Sequence, residues 1–434
     1  MASLRSFLVI GELIMVILSA LFILSSNNSG VVSVNNSVTK ISNINNSSSN
    51  TRNAQNTGTG TGTTEITTNI NKVLNVTPIP NGTEIRLKIV NFQDSFTPSP
   101  FQVEITLTRN ELGSVVFNHV VADPLSALFY EPGVGNLYAW LENYTGNYMV
   151  WWVKLPQAIP PSSAVTIYIN LSRVNNYPFT GMSPEVENAL GIHGYDNGGK
   201  VFLAYGYFND TTDGWKAYNT SDQFVPQPSP DGIEMLNNQG DQGTYILPPV
   251  NFSLMPVVIE EAWYESSGAD ANTINLFGNG TVIGATGPGG TDGGGTPATG
   301  IFAQFEYYSN QLFLKSAYTN SILSQTSFVS SAYTLYSYMI VSPNQVTAGY
   351  YEYSPNQVWV PLTMLGSLLS SGNTSSAPGF PLNSTSARLA GPSLMIGAGS
   401  GDSTSYQYVE WVIARAYPPN GMMPVLENIS IQSV

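Results

Sequence analysis

Residues 148–172, YMVWWVKLPQAIPPSSAVTIYINLS, decide the fold class of this chain. Two short runs within it, YMVWWVKL and AVTIYINLS, are rich in β-branched and aromatic residues and are separated by a proline-rich segment. These features, together with a period-two pattern, are typical of β-strands. The upstream runs EIRLKIVNF, FQVEITLTR and LYAWLENY repeat the pattern. We therefore predict a β-sandwich over residues 73–190.

A second strand-rich region follows a break at Gly191-Ile192-His193-Gly194. Its runs extend from KVFLAYGYF to YQYVEWVIARAY, with polar turns at short intervals, and they predict a jelly roll over residues 191–434. Residues 284–300 are Gly-rich, but their spacing does not match a phosphate-binding loop. The predicted fold class is thus all-β, with two tandem β-sandwiches.

The N-terminal segment predicts where the chain resides. Residues 7–24, FLVIGELIMVILSALFIL, approach the roughly 20 apolar residues that span a bilayer, and Arg5 on their flank predicts a cytoplasmic N-terminus. We interpret residues 1–25 as a transmembrane anchor and residues 26–72, rich in Ser, Thr and Asn, as a disordered stalk. The rest of the chain would then be extracellular, anchored to the cell membrane or envelope. A cleaved signal peptide and a pilin-type signal, suggested by Glu12, are the alternatives.

Composition excludes several classes of partner and chemistry. The net charge of −14 argues against nucleic acid, which requires a basic patch. The chain has no cysteine, which excludes disulfides, Cys-ligated zinc and thiol nucleophiles. Only 10% of residues are charged, so few charges are lost as pH falls. With 24 tyrosines and many N-x-[ST] sequons, this composition suggests an archaeal surface glycoprotein.

The sequons are individually weak signals for glycosylation. The predicted acceptors are Asn27, Asn35, Asn45, Asn75, Asn81, Asn143, Asn170, Asn209, Asn219, Asn251, Asn279, Asn373, Asn383 and Asn428.

Two stretches resemble known families. The first resembles the DUF2341-type domain of archaeal and bacterial surface proteins. The resemblance rests on a W-x-K-x-P segment, an I-P-x-S-S strand and a D-N-G-x-x-V-F…Y…F…W segment. The matching residues are Trp152, Lys154, Pro156, Ile159, Pro160, Ser163, Thr166, Ile167, Tyr168, Asp196, Asn197, Gly198, Val201, Phe202, Tyr205, Phe208 and Trp215. The second, VEWVIARAYPPNGMMP at residues 409–424, is similar to the closing strand of concanavalin A/laminin G-like sandwiches. The resemblance implies fold and surface context but no agreed activity.

The closing strand carries its own expectation. Alternation places Val409, Trp411 and Ile413 on one face with Arg415. Because that face is strongly apolar, we expect it to point into the core, with Arg415 at the rim and Glu410 facing away.

The residues offer little for catalysis. Two histidines in different regions do not suggest a Ser-His-Asp triad, and HExxH is absent. Glycoside hydrolysis needs two carboxylates about 5–9.5 Å apart, for which an E-x-D-x-E row would be the strand signature. That row is absent; the nearest candidates are Glu260, Glu261, Glu265, Glu306 and Glu410. We interpret them as solvent-facing carboxylates or arginine partners, and the chain as not an enzyme.

Sugar binding needs less: an aromatic face for the pyranose ring and a few polar side chains. The candidate ligand-binding residues are Trp263, Tyr351, Tyr353, Trp359 and Tyr406, although a strand aromatic more often belongs to the core. Calcium is a candidate cofactor, with Asp196 and Asp241 in loops as candidate ligands. Turn formation is the alternative role for both, because Asp beside Gly or Asn is a turn signal.

These observations predict a non-catalytic extracellular protein for adhesion or recognition of glycans or envelope partners, attached to the membrane through its N-terminal helix. The alternative is a structural, self-assembling subunit of an envelope layer, extracellular filament or virion spike. A glycoside hydrolase is the weaker alternative.

Overall fold

The fold is that of a computed structural model of the chain. It describes residues 82–171, 174–219, 226–237, 244–249, 256–265, 271–277, 300–306, 311–316, 322–327, 334–342, 345–352, 373–378, 393–398 and 405–433. No helix within these ranges has the length and apolar character that a bilayer span requires. The predicted anchor and stalk lie outside the described residues.

The predicted all-β class is confirmed, because the described residues form 24 strands and three short α-helices. The first twelve strands are β1 (Thr83–Asn91), β2 (Phe101–Thr108), β3 (Ala127–Glu131), β4 (Gly135–Asn136), β5 (Ala139–Tyr144), β6 (Tyr148–Leu155), β7 (Ser163–Leu171), β8 (Thr180–Met182), β9 (Ala204–Tyr207), β10 (Lys216–Asn219), β11 (Gln227–Ser229) and β12 (Gly232–Asn237). The others are β13 (Thr244–Leu247), β14 (Val257–Glu265), β15 (Ala271–Phe277), β16 (Gly300–Glu306), β17 (Gln311–Ser316), β18 (Ile322–Ser327), β19 (Thr334–Val341), β20 (Gln345–Glu352), β21 (Asn373–Pro378), β22 (Ser393–Ala398), β23 (Ser405–Ala416) and β24 (Val425–Ser433). The helices are α1 (Arg109–Ala122), α2 (Pro184–Leu190) and α3 (Gly198–Val201).

Helix α1 was not predicted from the sequence, although its start carries a local signal. Thr108 and Glu111 form a capping box, in which each side chain accepts a hydrogen bond from the other residue's backbone N–H. The helix is interrupted at Gly113, whose φ of 71° lies in the left-handed region that favours glycine. Helix α2 begins after Ser183, whose side chain accepts a hydrogen bond from the Val186 N–H and caps the helix.

The strands form four sheets. Sheet A has the order β24-β1-β7-β3-β4 and sheet B the order β2-β6-β5-β8. Sheet C has the order β11-β12-β23-β14-β19-β20-β21, with β9 also paired to β23, and sheet D has the order β10-β13-β22-β15-β16-β17-β18. Sheets A and B therefore form one sandwich, and sheets C and D form another.

Three buried layers separate the four sheets. The A–B core includes Leu87 from sheet A and Trp151 from sheet B. The C–D core includes Trp263 from sheet C and Phe305 from sheet D. A third cluster, the B–C layer, lies between the two sandwiches and consists of Trp140, Trp152, Val201, Phe202, Tyr205, Tyr207, Ala262, Tyr336, Tyr338, Trp411 and Ile413. The order of the stack is A, B, C, D.

The two inner sheets are therefore buried on both faces. Trp151 and Trp152 are consecutive in β6 and point in opposite directions, one into the A–B core and the other into the B–C layer. Both side chains are fully buried. A strand with large apolar residues on both faces is characteristic of a sheet covered on both sides.

The closing strand, now β23, has Trp411 and Ile413 fully buried as expected, but the expectation was wrong in three other respects. Trp411 faces the B–C layer rather than the core of its own sandwich. Arg415 is buried, not at a rim, and Glu410 is buried rather than facing solvent. A bulge opposite Ala262 and Trp263 accommodates Glu410, which breaks the simple alternation that the expectation assumed.

The last strand also departs from the predicted organisation. Strand β24 pairs antiparallel with β1 in sheet A, from Thr83 opposite Ser433 to Val90 opposite Val425. The range 191–434 predicted for the second sandwich thus includes a strand of the first sheet. The boundary near residue 190 stays a prediction.

We predict that Arg415 is essential to the stability of the stack. Arg415→Met leaves the buried Glu260 carboxylate without its cation, so the free energy of unfolding should fall by about 3–5 kcal/mol. The matched control is Lys88→Met, because Lys88 pairs with Glu427 at the surface, and it should cost less than about 1 kcal/mol. Denaturant unfolding measures both, and equal costs would contradict the assignment.

Candidate functional site

The B–C layer contains a buried ion pair. Arg415 Nε donates to Glu260 Oε2 at 2.9 Å, and both side chains are almost fully buried. The Tyr336 hydroxyl donates to Glu260 Oε1 at 2.6 Å. The Arg415 guanidinium carbon lies 5.3 Å from the centre of the Trp152 ring, which belongs to sheet B. The pair therefore joins two strands of sheet C and contacts the other sandwich.

Further carboxyl groups line the same layer from sheet B. Trp152 Nε1 donates to Glu142 Oε2 at 2.7 Å. Burial raises the pKa of Glu142 well above its usual range, against the lowering effect of that hydrogen bond. Burial also raises the pKa of Glu104, which Arg415 partly opposes. Burial thus disfavours the ionised form of both carboxyl groups.

Asp196 connects the layer to the loop that follows α2. Its Oδ1 accepts hydrogen bonds from Trp140 Nε1 and Gly198 N, each at 2.9 Å, and its Oδ2 accepts one from the Tyr205 hydroxyl at 2.7 Å. Burial nevertheless raises the pKa of this carboxyl to about 7. Asp196 is thus a structural acceptor that ties this loop to the layer.

The described hydrolase candidates have structural partners. Glu260 binds Arg415 and Tyr336, and Glu261 accepts a hydrogen bond from Ser337 at 2.8 Å in the C–D core. Glu410 is fully buried. The interpretation of these three carboxylates as solvent-facing was wrong. The alternative interpretation, an arginine partner, holds for Glu260. The side chains of Glu265 and Glu306 lie outside the described part of the chain.

The predicted ligand-binding residues differ in whether the structure describes their side chains. Trp263 is fully buried in the C–D core, where its Nε1 donates to Ser337 Oγ at 2.9 Å, so its ring presents no face to a sugar. Tyr351 and Tyr406 lie in β20 and β23 with their side chains outside the described part. Tyr353 and Trp359 lie outside the described residues altogether. The assignments for these four tyrosine and tryptophan residues stay predictions.

Asp196 does not provide a calcium site. N–H and O–H donors surround its carboxylate where a cation would need further oxygen ligands. Within the ranges described, no three or more His, Cys, Asp or Glu side chains are grouped to hold a metal. Asp241 lies outside those ranges, and its assignment stays a prediction.

Glycosylation also stays a prediction. Asn209 and Asn428 are exposed, and Asn143 and Asn170 are partly exposed. Asn219 and Asn373 lie in strands with their side chains outside the described part, and the other predicted acceptors lie outside the described residues.

Two pairs of partly exposed aromatic rings lie on segments that Asn197 joins by hydrogen bonds, and we call these four rings the aromatic platform. Tyr138 stacks on Phe179 with ring centres 5.3 Å apart, and Tyr177 meets Tyr195 edge to face at 5.7 Å. Tyr177 is 49% exposed, and the other three rings are partly exposed. They come from the start of β5, the β7–β8 connection and the α2–α3 connection.

Buried hydrogen bonds hold the platform in place. Asn197 is almost fully buried, and its Nδ2 donates to the carbonyls of Ala139, Pro178 and Phe179 at 3.2, 3.0 and 3.1 Å. A Cβ on Gly181 would lie 2.3 Å from Asn197 Oδ1, so only glycine permits this approach. The D-N-G segment that carries the family resemblance thus supports the platform.

The platform residues were not predicted from the sequence. Their rings come from three segments that are distant along the chain, and two of the segments are loops without periodicity. The run NNYPF at residues 175–179 was the available signal, because it places two aromatic residues beside a proline in a loop.

No family model matches the chain. The DUF2341-type resemblance therefore stays a prediction. Over 138 residues the chain is 33% identical to "Uncharacterized protein 562" of Sulfolobus islandicus rod-shaped virus 1. The match covers 30% of this chain and 22% of that protein, so the chain spans a minor part of its relative.

The chain also has distant likenesses among solved structures. The metal-free exoplasmic/lumenal domain of VIP36 is 11% identical, with 51% of this chain and 94% of that one covered and a TM-score of 0.33. Peanut lectin with a 9mer peptide is 11% identical, with 48% and 96% covered and a TM-score of 0.36. Lectin I from Ulex europaeus, in complex with the methyl glycoside of α-L-fucose, is 10% identical, with 48% and 96% covered and a TM-score of 0.33.

We predict that Asp196 makes the fold more stable in acid. Its carboxyl holds a proton more tightly in the folded chain than in the unfolded one. The stabilisation of the fold by this tighter proton binding is therefore fully present below about pH 4, and it is lost as pH rises through about 7. Asp196→Asn should weaken the pH dependence between pH 4 and 8, measured by denaturant unfolding. Asp94→Asn is the control for removal of one charge, and an unchanged slope in Asp196→Asn would contradict the prediction.

Proposed function

We propose that this chain is a non-catalytic extracellular recognition protein that binds glycans through the aromatic platform. The observation that carries the proposal is the group of four partly exposed rings on hydrogen-bonded loops. Aromatic rings offer large apolar faces, and tyrosine adds a hydroxyl that can bond to a polar ligand. A pyranose ring has the matching chemistry, with C–H groups on its faces and hydroxyls at its edge.

The surroundings of the platform support the same ligand class. Asn175 and His193 are exposed on the two loops that carry Tyr177 and Tyr195, and they can exchange hydrogen bonds with sugar hydroxyls. Asn197 fixes the loop backbones beneath the rings, so little order has to be gained on binding. A few polar groups around an apolar, preformed surface are typical of small-ligand sites.

The buried carboxylates support a non-catalytic role. Hydrolysis of a glycosidic bond requires two carboxyl groups that a substrate can reach. Glu260 and Glu261 instead accept hydrogen bonds inside protein layers that exclude water.

The second candidate function is a structural or attachment subunit of a virion. It is favoured by the viral origin of the curated relative. The predicted N-terminal anchor and stalk would place the folded part away from a membrane or particle surface in either case, which agrees with recognition of another surface.

We predict that Tyr177→Ala weakens glycan binding at least about tenfold, a loss of about 1.4 kcal/mol, because it removes the most exposed ring. Tyr148→Ala is the matched control, because Tyr148 is an exposed tyrosine on β6 outside the platform. A glycan array with the full chain identifies the ligand, and titration calorimetry then compares the variants.

The outcomes separate the function from the site. If the native chain binds no glycan, the proposed function is wrong. If it binds a glycan and Tyr177→Ala binds equally well, the platform is not the binding site.

A further inference from the structure

Two lysines lie beside the Tyr138–Phe179 pair of the aromatic platform. Lys154 in β6 is opposite Tyr138 at the start of β5, and its backbone N–H donates to the Tyr138 carbonyl at 2.9 Å. The Lys154 ammonium donates to the carbonyl of Lys200 in α3, also at 2.9 Å. Tyr138 in turn stacks on Phe179. Direct contacts thus connect two cationic residues to an aromatic pair.

The side chains of Lys154 and Tyr138 share one face of sheet B. Trp152 and Trp140, two residues away along the chain, both point into the B–C layer, so strand alternation directs Lys154 and Tyr138 to the same side. Tyr138 packs partly against this layer. Lys154 is partly exposed and Lys200 is exposed, so this is the solvent-facing margin of the layer. Opposite residues on one face of an antiparallel pair have Cβ atoms about 4.5–5.5 Å apart, within reach of one ligand.

Neither lysine has an acidic partner within the described ranges. The ion pairs found there are Lys88 with Glu427, His193 with Glu187, and Arg415 with Glu260. The cross-strand neighbour of Lys154 on β2 is Gln102, which carries no charge. Glu104 is opposite Trp152 instead, and burial raises its pKa and so disfavours its ionised form.

Asp196, which precedes α3, also has other partners. Its two carboxylate oxygens accept hydrogen bonds from the Trp140 indole, the Gly198 backbone and the Tyr205 hydroxyl. Its role in the loop is therefore fulfilled without an ion pair to either lysine.

An ammonium group without a counter-ion is unfavourable at this position. Burial lowers the pKa of Lys154, and the charge of Lys200 lowers it further. Both effects disfavour the charged form, and a bound anion would oppose both of them. An ammonium has three N–H donors, of which the Lys200 carbonyl accepts one, so Lys154 can also donate to a ligand.

The charge of the whole chain makes this placement informative. The chain has 14 Lys and Arg against 28 Asp and Glu, a net charge of −14. Such a charge repels an acidic ligand in general, and a local group of cations is what attracts one to a particular surface. Two of the few cations lie together, without acidic partners, beside exposed aromatic rings.

We propose that the ligand of the aromatic platform is an acidic sugar, whose anionic substituent binds Lys154 and Lys200 while its ring packs against Tyr138 and Phe179. The inference rests on the proposed glycan-binding function and adds the chemical class of the ligand. An acidic sugar has both features that this surface would recognise, a ring with C–H faces and a carboxylate or sulfate attached to it. A neutral sugar would leave the partly buried ammonium without a counter-charge.

The test compares acidic oligosaccharides with their own neutral forms. The panel consists of uronic acid oligosaccharides with their carboxyl-reduced forms, and sulfated oligosaccharides with their desulfated forms. Titration calorimetry of the full chain should show an acidic member bound at least about tenfold more tightly than its neutral form, because hydrogen bonds to charged groups are the stronger ones. The preference should decline as salt is added. Tighter binding in the first group identifies a carboxylate, and in the second a sulfate.

The double substitution Lys154→Met and Lys200→Met should reduce the affinity for the acidic form to that for the neutral form, while circular dichroism shows an unchanged fold. The matched control is Lys216→Met, because Lys216 is an exposed lysine on β10 of sheet D, outside the platform. This variant should keep the full preference.

The outcomes separate the ligand class from the function. If the native chain binds no glycan of any kind, the proposed function is wrong. If it binds acidic and neutral forms equally, glycan binding stands and the acidic class is wrong. A preference that survives the double substitution would also overturn the proposal. Displacement of the acidic oligosaccharide by an equal concentration of inorganic sulfate would overturn it too, because the site would then recognise a bare anion rather than a sugar.

Discussion

The structure depends on a buried guanidinium. Arg415 lies between two sandwiches, and a charge in that position is tolerated only if a counter-charge and hydrogen-bond acceptors stand in fixed places. Glu260 on β14 supplies the counter-charge, and the Tyr336 hydroxyl on β19 donates a further hydrogen bond to Glu260. Trp152, in the other sandwich, provides an aromatic face for the guanidinium. The requirement sets the register of three strands in sheet C and the placement of sheet B against them.

The same layer extends toward the surface. Trp140 is packed in the B–C layer and donates to Asp196, and Asp196 is followed by Asn197, which holds the loop of the aromatic platform. The platform is therefore held by the packing between sheets B and C as well as by its own loops. Burial raises the pKa of Asp196 to about 7, so the cost of burying its charge is relieved as pH falls.

Much of the fold could be predicted from the sequence, because period-two runs of β-branched and aromatic residues are local signals. The run MVWWV even contained the sign of a doubly covered sheet, since two adjacent tryptophans must point to opposite faces. What covers the second face is not a local property, and this is why Arg415 and Glu410 were placed at the surface. Strand alternation also failed at Glu410 because a bulge depends on the partner strand. The platform escaped prediction for a related reason: its rings meet only after three distant segments have folded.

The central claim is that the B–C layer joins the two sandwiches into one cooperative body. Differential scanning calorimetry of the full chain tests it most directly, because cooperative unfolding gives equal calorimetric and van't Hoff enthalpies. We predict a single transition that satisfies this equality for the folded part. Two separate transitions, each with its own midpoint, would show that the sandwiches unfold independently and would contradict the account.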